Sequence, residues 1–439
     1  MAVRGQRFRY DRFSFDAASG RLDCHYSLDD LRFTESITLD GGADSPAVVA
    51  AARWVFLLAG VSYYKTGAPP VIDLGDNAVT EREREFLRHY YVEGLGEFAY
   101  KNDLDLGGVV VEGPTRVPTP IEVPASGRPL VPFGGGIDSI VVVEATRQRH
   151  SDTSLFVASR AGDRFEAIEK AAAVTGLPVL RADREIDDQV LRSESLGFLN
   201  GHVPVTGIVS ALAVTAALRD GRDAVVMSNE WSASSGTVEV DGRSINHQWS
   251  KSLDFEARFR EVLAESVVGL DYFSALRPYS ELRVAERFAR LTDYHHAFRS
   301  CNKAFTLDPS RRLDHWCGEC DKCCFINLIL APFVDRLRLE QIFGGKEPLD
   351  QDHLEPRFLS LLGDDALLKP FECVGDVGEC RAAVLLAADR EDRAEAALLH
   401  KLAAGVREDS MPLPDVASLL RPLGPHYIPS AHAEPDLLG

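Results

Sequence analysis

Gly134-Gly-Gly-Ile-Asp138-Ser139 follows a short apolar run ending at Phe133 and opens what reads as a helix. That order brings free backbone N–H groups and a positive helix end to one point, which suits a polyphosphate. Glycine permits tight turns and close approach of a ligand to the backbone. No Gly-Lys-Ser/Thr follows, so this is not a Walker loop. The bland alternative is a glycine-rich strand-to-helix turn without a ligand. A second chemistry-bearing group is sulfur. Cys317-x-x-Cys320-x-x-Cys323 forms a tight knuckle that Cys301 can join through a returning loop. Four thiolates satisfy tetrahedral zinc. Iron–sulfur ligation and reduced free thiols are the competing readings, although the Cys-Pro ending of the bacterial ferredoxin run is absent.

Proton transfer near neutral pH needs histidine, and His202, His247, His295, His296 and His315 are the candidates. His202 and His247 are favoured because they stand in polar, glycine- or serine-flanked segments near strand ends. A structurally hydrogen-bonded imidazole competes in each case. Lys251 reads as a phosphate or carboxylate partner, or else as a solvated charge. Tyr63, Tyr64 and Lys65 contact substrate or, in the tyrosines' case, pack in the core.

The elements that carry these residues are legible in outline. Alternating aromatic and polar residues over 6–40 predict a β-hairpin or meander. Helices are expected at Ser45–Ala59 and Thr80–Glu93, the second with a Thr80-x-x-Glu83 capping box. Residues 112–128 are rich in Pro, Gly and Thr and read as a linker. Beyond it, apolar runs at Leu155–Ala158, Val179–Leu180 and Ala224–Met227 alternate with helical segments near Arg164–Val174 and Val203–Leu218. This predicts an α/β fold with a parallel sheet covered by helices on both faces. Ligands bind at the carboxyl ends of such strands, where Gly134–Ser139, Ser159–Arg160 and Ser228–Glu230 all fall. Ser159 is therefore a candidate for the adenosine side of a nucleotide, and Asn229 and Glu230 for ribose, metal or substrate. After residue 330, helices are expected at Leu337–Phe343, Phe358–Leu362 and Glu391–Val406, with a loosely ordered tail from Pro412. The expected domains are 1–125 (α+β, substrate-associated), 126–335 (nucleotide site and knuckle) and 336–439 (helical).

With 439 residues, several domains are expected. The net charge of −19 disfavours a nucleic-acid surface. The first residues lack the apolar core of a signal peptide, and Val48–Val61 and Val203–Leu218 are too short to span a membrane. A cytoplasmic protein without a membrane partner is expected. Its clustered cysteines fit metal binding better than disulfides.

Gly-Gly-x-Asp-Ser after a strand resembles the PP-loop of enzymes that split ATP into AMP and pyrophosphate, with Gly134 in place of the usual leading serine. The resemblance implies a Rossmann-like (HUP-like) fold for the central domain. Arg299-Ser-Cys-Asn302 with Trp316-Cys-Gly-Glu-Cys-Asp-Lys-Cys323 also resembles the zinc knuckle of 7-cyano-7-deazaguanine synthase, another PP-loop family. That match covers only the central domain and departs at Lys322 and Ile326.

A longer likeness covers residues 6–430. Gly201-His-Val-Pro-Val-Thr206, Ser228-Asn-Glu-Trp-Ser-Ala-Ser-Ser235, Asn246-His-Gln-Trp-Ser-Lys251 and Leu276-Arg-Pro-Tyr-Ser-Glu281 resemble the UDP-N-acetylmuramoyl-L-alanyl-L-glutamate epimerase family. So do Gly60-Val-Ser-Tyr-Tyr-Lys65, Gly94-Leu-Gly-Glu-Phe-Ala-Tyr100 and Asp314–Cys323. The resemblance implies inversion of the terminal L-glutamate of a peptidoglycan precursor, with ATP and Mg²⁺ consumed and AMP and pyrophosphate released. It implies as functional partner a ligase that adds L-glutamate to UDP-N-acetylmuramoyl-L-alanine. On this reading Gly134, Gly135, Gly136 and Ser139 cradle pyrophosphate, Asp138 ligates Mg²⁺ or orients the loop, and His202 and His247 move the proton. Cys301, Cys317, Cys320 and Cys323 hold zinc away from the chemistry. The alternative is another AMP-forming PP-loop enzyme, either amidating or nitrile-forming, which leaves residues 1–125 without a role.

Overall fold

The computed structural model describes residues 4–240, 242–364 and 366–432. Its centre is a ten-stranded mixed sheet. Strands β1 (Arg7–Asp16), β2 (Arg21–Leu28) and β3 (Leu31–Leu39) form the antiparallel meander that the alternation predicts. One face of it buries Phe8, Tyr10, Leu22, Cys24, Tyr26, Phe33 and Ile37. Short strands β4 (Val71–Asp73) and β5 (Val110–Glu112) extend the β1 edge in parallel.

The remaining strands, β6 (Pro129–Pro132), β7 (Ser154–Arg160), β8 (Val179–Glu185), β9 (Ala224–Met227) and β10 (Asp271–Ser274), run parallel to one another. Their spatial order, β10-β9-β6-β7-β8, reverses between β6 and β9. A doubly wound sheet opens a ligand crevice at the carboxyl ends of the two strands flanking such a switch. Successive strand residues face opposite sides, and the cores divide accordingly. Leu130, Phe156, Val225 and Tyr272 enter one core, and Val131, Leu155, Val226 and Phe273 the other.

The sheet does not stop at the expected 125/126 boundary. Leu39 pairs with Ala182, and Ser36 with Glu185, so β3 continues antiparallel onto β8. One apolar core runs from Phe8 to Tyr272. The Pro-rich linker crosses this unit without dividing it.

Helix α1 (Pro46–Ala59) packs on that core together with α2 (Glu81–Gly94), the short α3 (Gly96–Lys101) and, further along the chain, the helices Val205–Arg219 and Leu253–Ala264. Thr80 and Glu83 cap α2 reciprocally as the capping box predicts. The helical stretch Pro46–Tyr64 is apolar and long enough to cross a membrane by composition, but 83% of its apolar window is buried in the protein. Among the described residues the other helices of nine residues or more are α4 (Ile137–Arg147), α5 (Glu166–Thr175), α6 (Val205–Arg219), α7 (Leu253–Ala264), α8 (Glu281–Ala289), α9 (Asp321–Leu330), α10 (Val377–Ala388) and α11 (Ala397–Glu408), and shorter helices at Arg336–Ile342 and Glu355–Leu361 stand where helices are expected. Helices α4 and α8–α11 cover the second face.

Three elements differ from expectation. The helix expected over Glu391–Val406 is a short turn at Glu391–Arg393 followed by α11. The buried Arg393 guanidinium turns back there to the carbonyls of Ala331 and Val334. Helix α10 carries no clear periodicity because Cys380, Ala382, Ala383, Val384 and Ala387 are buried almost all round it. The tail from Pro412, expected to be loose, is docked through its described part. Ser280 Oγ donates to Leu419 O at 2.6 Å, and Leu423 N donates to Pro278 O at 2.7 Å. Residues 433–439 lie outside the described residues.

Candidate active site

The glycine loop leaves β6 at the switch point and runs into α4. Gly135 has φ +73°, and a Cβ there would lie 2.9 Å from the Ala167 carbonyl oxygen, so only glycine fits. Gly136 caps α4 without any side-chain hydrogen bond, which leaves the first-turn N–H groups for a ligand. Gly134, Gly136, Asp138 and Ser139 line a cavity of about 420 Å³, completed by Asn229, Lys251, Glu281, Ser300, Lys322 and Cys373 among others. Ser139 Oγ donates to Gly136 O at 3.1 Å and so braces the loop.

Three carboxylates converge at one side of this cavity. Asp138 in the first turn of α4, Glu230 beyond β9 and Glu281 at the start of α8 each offer an oxygen within 4.8 Å of the others. Asp138 Oδ1 and Glu281 Oε2 are buried without a hydrogen-bond partner. Burial, then the charge of Glu230, pushes Asp138 up to about 7. Burial, then Asp138, raises Glu281 well above the usual carboxylate range. Orphaned carboxylate oxygens held this close suit a divalent cation. Arg277 fixes the surroundings: fully buried, it pairs with Glu256 at 3.0 Å and donates to the carbonyls of Glu230 at 2.9 Å and Lys251 at 2.6 Å.

A second cluster adjoins the first. His202 and His247, far apart in sequence, meet with ring centroids 4.3 Å apart. Both face Glu97 of α3: His247 Nδ1 shares a short hydrogen bond with its carboxylate, and His202 Nδ1 lies 4.0 Å from it. Burial works against a charged His247, but the neighbouring Cys373 and the hydrogen bond to Glu97 hold it up to about 9. Burial, then the neighbouring His247, drives His202 down to about 4. At neutral pH one imidazole is therefore charged and the other neutral. Lys251 Nζ donates to Cys373 Sγ at 3.2 Å and links this cluster to the carboxylates.

The four sulfurs of Cys301, Cys317, Cys320 and Cys323 also lie within 4.8 Å of one another, while Cys324 is buried outside the group. The donor set and its closeness fit tetrahedral zinc. This knuckle is not remote from the cavity as expected: Ser300 and Asn302, flanking Cys301, form part of the cavity wall.

Several expected residues lie elsewhere. Ser159 turns to the opposite face of β7 from Phe156 and Ala158, which line the cavity, and its hydroxyl accepts from Arg164 at 3.0 Å. The period of two along a strand imposes this. His295, His296 and His315 line a separate cavity beside Trp316. Tyr63 and Tyr64 are buried, with hydroxyls bonded to Glu35 and to the Pro69 carbonyl. Lys65 Nζ holds Asn200 Oδ1 at 2.6 Å, next to the loop that carries His202. Glu97, Glu281, Lys322 and Cys373 escaped sequence reasoning as site residues. Glu97 and Glu281 stand inside recognised motifs, but nothing local marks Cys373.

Fold and site define a doubly wound α/β enzyme with a glycine-loop cavity beside a buried cluster of two histidines and a carboxylate. The family descriptions narrow this. The MurL N-terminal domain matches residues 2–275, and the MurL C-terminal domain matches residues 297–415. The chain is 39% identical, over 99% of its length and 96% of the relative's, to the UDP-N-acetyl-alpha-D-muramoyl-L-alanyl-L-glutamate epimerase of Salinispora tropica. It is 37% identical to the epimerase of the same name from Xanthomonas oryzae pv. oryzae, over 97% of the chain and 95% of the relative. The one from Micromonospora sp. is also 37% identical, over 98% of each chain. The chain belongs to this epimerase family, whose members are isomerases.

Proposed function

We propose that this chain inverts the terminal L-glutamate of UDP-N-acetylmuramoyl-L-alanyl-L-glutamate, with ATP activating the glutamate carboxylate and leaving as AMP and pyrophosphate. The observation that carries this reading is the direct contact between two chemistries, in which Lys251 joins the glycine-loop cavity to the Glu97–His202–His247–Cys373 cluster. Inverting one α-carbon is nearly thermoneutral, so ATP addresses the barrier. Deprotonation beside a carboxylate places a second negative charge next to the first. Adenylation removes that charge, and acidifying the C–H by about ten pKa units lowers its cost by roughly 14 kcal/mol. Closure of the N-acylated, activated glutamate to an oxazolone acidifies the same hydrogen.

Gly134, Gly135 and Gly136 bind the phosphates through backbone N–H groups at the start of α4. Asp138, Glu230 and Glu281 would hold Mg²⁺, which supplies positive charge against phosphate oxygens. Lys251 stabilises negative charge between the two clusters, and Asn229 lines the nucleotide side. The cysteine knuckle would hold zinc in a structural role, fixing the Arg299–Asn302 wall. In a cytoplasmic setting the substrate comes from a ligase that adds L-glutamate to the muramoyl-L-alanine precursor, in cell-wall synthesis.

The test is incubation with ATP, Mg²⁺ and the L-glutamate precursor, followed by assay of AMP, pyrophosphate and glutamate chirality. All three products are expected only when the peptide is present. ADP and phosphate would refute the loop assignment, and unchanged L-glutamate would refute the epimerisation.

A further inference from the structure

The two clusters meet at one side chain, Cys373. Outside the four-sulfur group it is the only cysteine that is not buried, since Cys24, Cys324 and Cys380 all are. Its sulfur faces the cavity, accepts from Lys251 Nζ at 3.2 Å, and stands close enough to His247 for each to shift the other's titration. Glu97 holds Nδ1 of that imidazole. The loop carrying Cys373 comes from the C-terminal region and is pinned twice. Lys322 Nζ donates to the Cys373 carbonyl, and Asn302 Nδ2 donates to Glu372 at 2.9 Å. Phe371 packs against Tyr100 with centroids 5.8 Å apart, which ties the loop to α3. An ammonium on the sulfur, with a charged imidazole close by, is an arrangement that keeps a thiol ionised. Burial alone would push Cys373 up, but Lys251 and His247 outweigh it and bring the thiol down to about 6.

We propose that Cys373 is a catalytic base, its sulfur removing the α-proton of the substrate's terminal glutamate while Lys251 and His247 hold the thiolate. The proposal rests on the epimerase reading and on carboxylate activation. In this step the Cα–H bond breaks, an S–H bond forms, and the electron pair passes into the activated carboxyl group. Solvent water then protonates the planar carbon on its other face. The thiol returns its proton to the hydroxide left behind, which restores the thiolate. His247 becomes a positioning residue, oriented by Glu97. His202, neutral at working pH, borders the same space.

The test uses the full-length protein with ATP, Mg²⁺ and the L-glutamate precursor in D₂O. In Cys373→Ala and Cys373→Ser, deuterium incorporation at the glutamate α-carbon should fall by about 100-fold or more. Peptide-dependent pyrophosphate release should fall no more than a few-fold. Iodoacetamide alkylation of Cys373 in the wild type should track a thiolate titrating near pH 6, moving to the usual thiol range in Lys251→Met. The charged groups facing this sulfur are Lys251, His247 and Lys322, with Glu97 and Glu372 behind His247 and Asp138 and Glu230 beyond Lys251. No pyrophosphate from the wild type would overturn the activation scheme and this proposal with it. Wild-type exchange in both Cys373 variants would overturn the role of Cys373 alone. So would equal loss of exchange and pyrophosphate release in folded variants, or a peptidyl adduct on Cys373 in intact mass spectra.

Discussion

Glu97→Gln removes one charge from the Glu97–His247 pair and keeps its shape. Both side chains are largely buried, at 5% and 10% exposure, so solvent screens the pair little. Burial opposes charge on Glu97, but His247 and Lys101 hold its carboxyl below the usual range. The rise of His247 from 6.5 to about 9 is worth about 3.4 kcal/mol at about 1.36 kcal/mol per pH unit. Glu97 and Cys373 share that effect, so the substitution should remove roughly half of it, about 1.7 kcal/mol. The His247 titration midpoint should then fall to between about 7 and 8. The sign follows from linkage. A histidine raised in the folded state adds stability that is complete below 6.5 and lost as pH rises through about 9. The lowered Glu97 adds stability that is lost as pH falls through its own folded value. The melting temperatures of wild type and Glu97→Gln should therefore differ most near pH 6 and converge above about pH 10. Scans at those two pH values, with the His247 C2–H resonance followed by NMR, measure both effects. An equal gap at both pH values, or a midpoint that stays near 9, would refute the coupling.

Asp138→Asn should reduce turnover by about 100-fold or more. It should also raise the melting temperature of ligand-free protein at pH 8 but not at pH 3, because a carboxyl raised to about 7 destabilises the fold once ionised. Loss of stability at pH 8 would make its role structural. Protein purified without tags should carry about one zinc per chain by elemental analysis, and chelation should lower its melting temperature. Iron with visible absorbance, or no metal, would contradict this. Glu256→Gln leaves the buried Arg277 charge unpaired, so it should cost about 3–5 kcal/mol in denaturant unfolding. It should also lower kcat, since Arg277 anchors the Glu230 and Lys251 backbone; an unaffected kcat would sever that link.

Local rules carried part of this protein into view. The Thr80–Glu83 capping box and the meander from Arg7 to Leu39 depend on neighbours close along the chain, and the uninterrupted apolar run of β9 marks it as a buried strand, so their residues encode them directly. The glycine loop is legible for the same reason: Gly135 adopts a conformation that favours glycine. The spacing from Cys317 to Cys323 is likewise local, and only Cys301 had to arrive from outside the knuckle. Strand β10 was not legible, since Asp271-Tyr-Phe-Ser274 has two apolar residues between polar ends and so neither alternation nor an apolar run to mark it.

The residues alone announce a glycine loop at the end of a strand, the available sulfur and histidine, and helices that alternate with parallel strands. Long-range pairing of β3 with β8 then merges two expected domains into one sheet. Packing likewise turns Ser159 away from the cavity and brings Glu97, His247 and Cys373 together. The reason is physical. Secondary structure follows from backbone sterics and short-range periodicity, whereas a buried charge cluster depends on long-range packing that brings α3, the His247 segment and the Cys373 loop into one low-dielectric space.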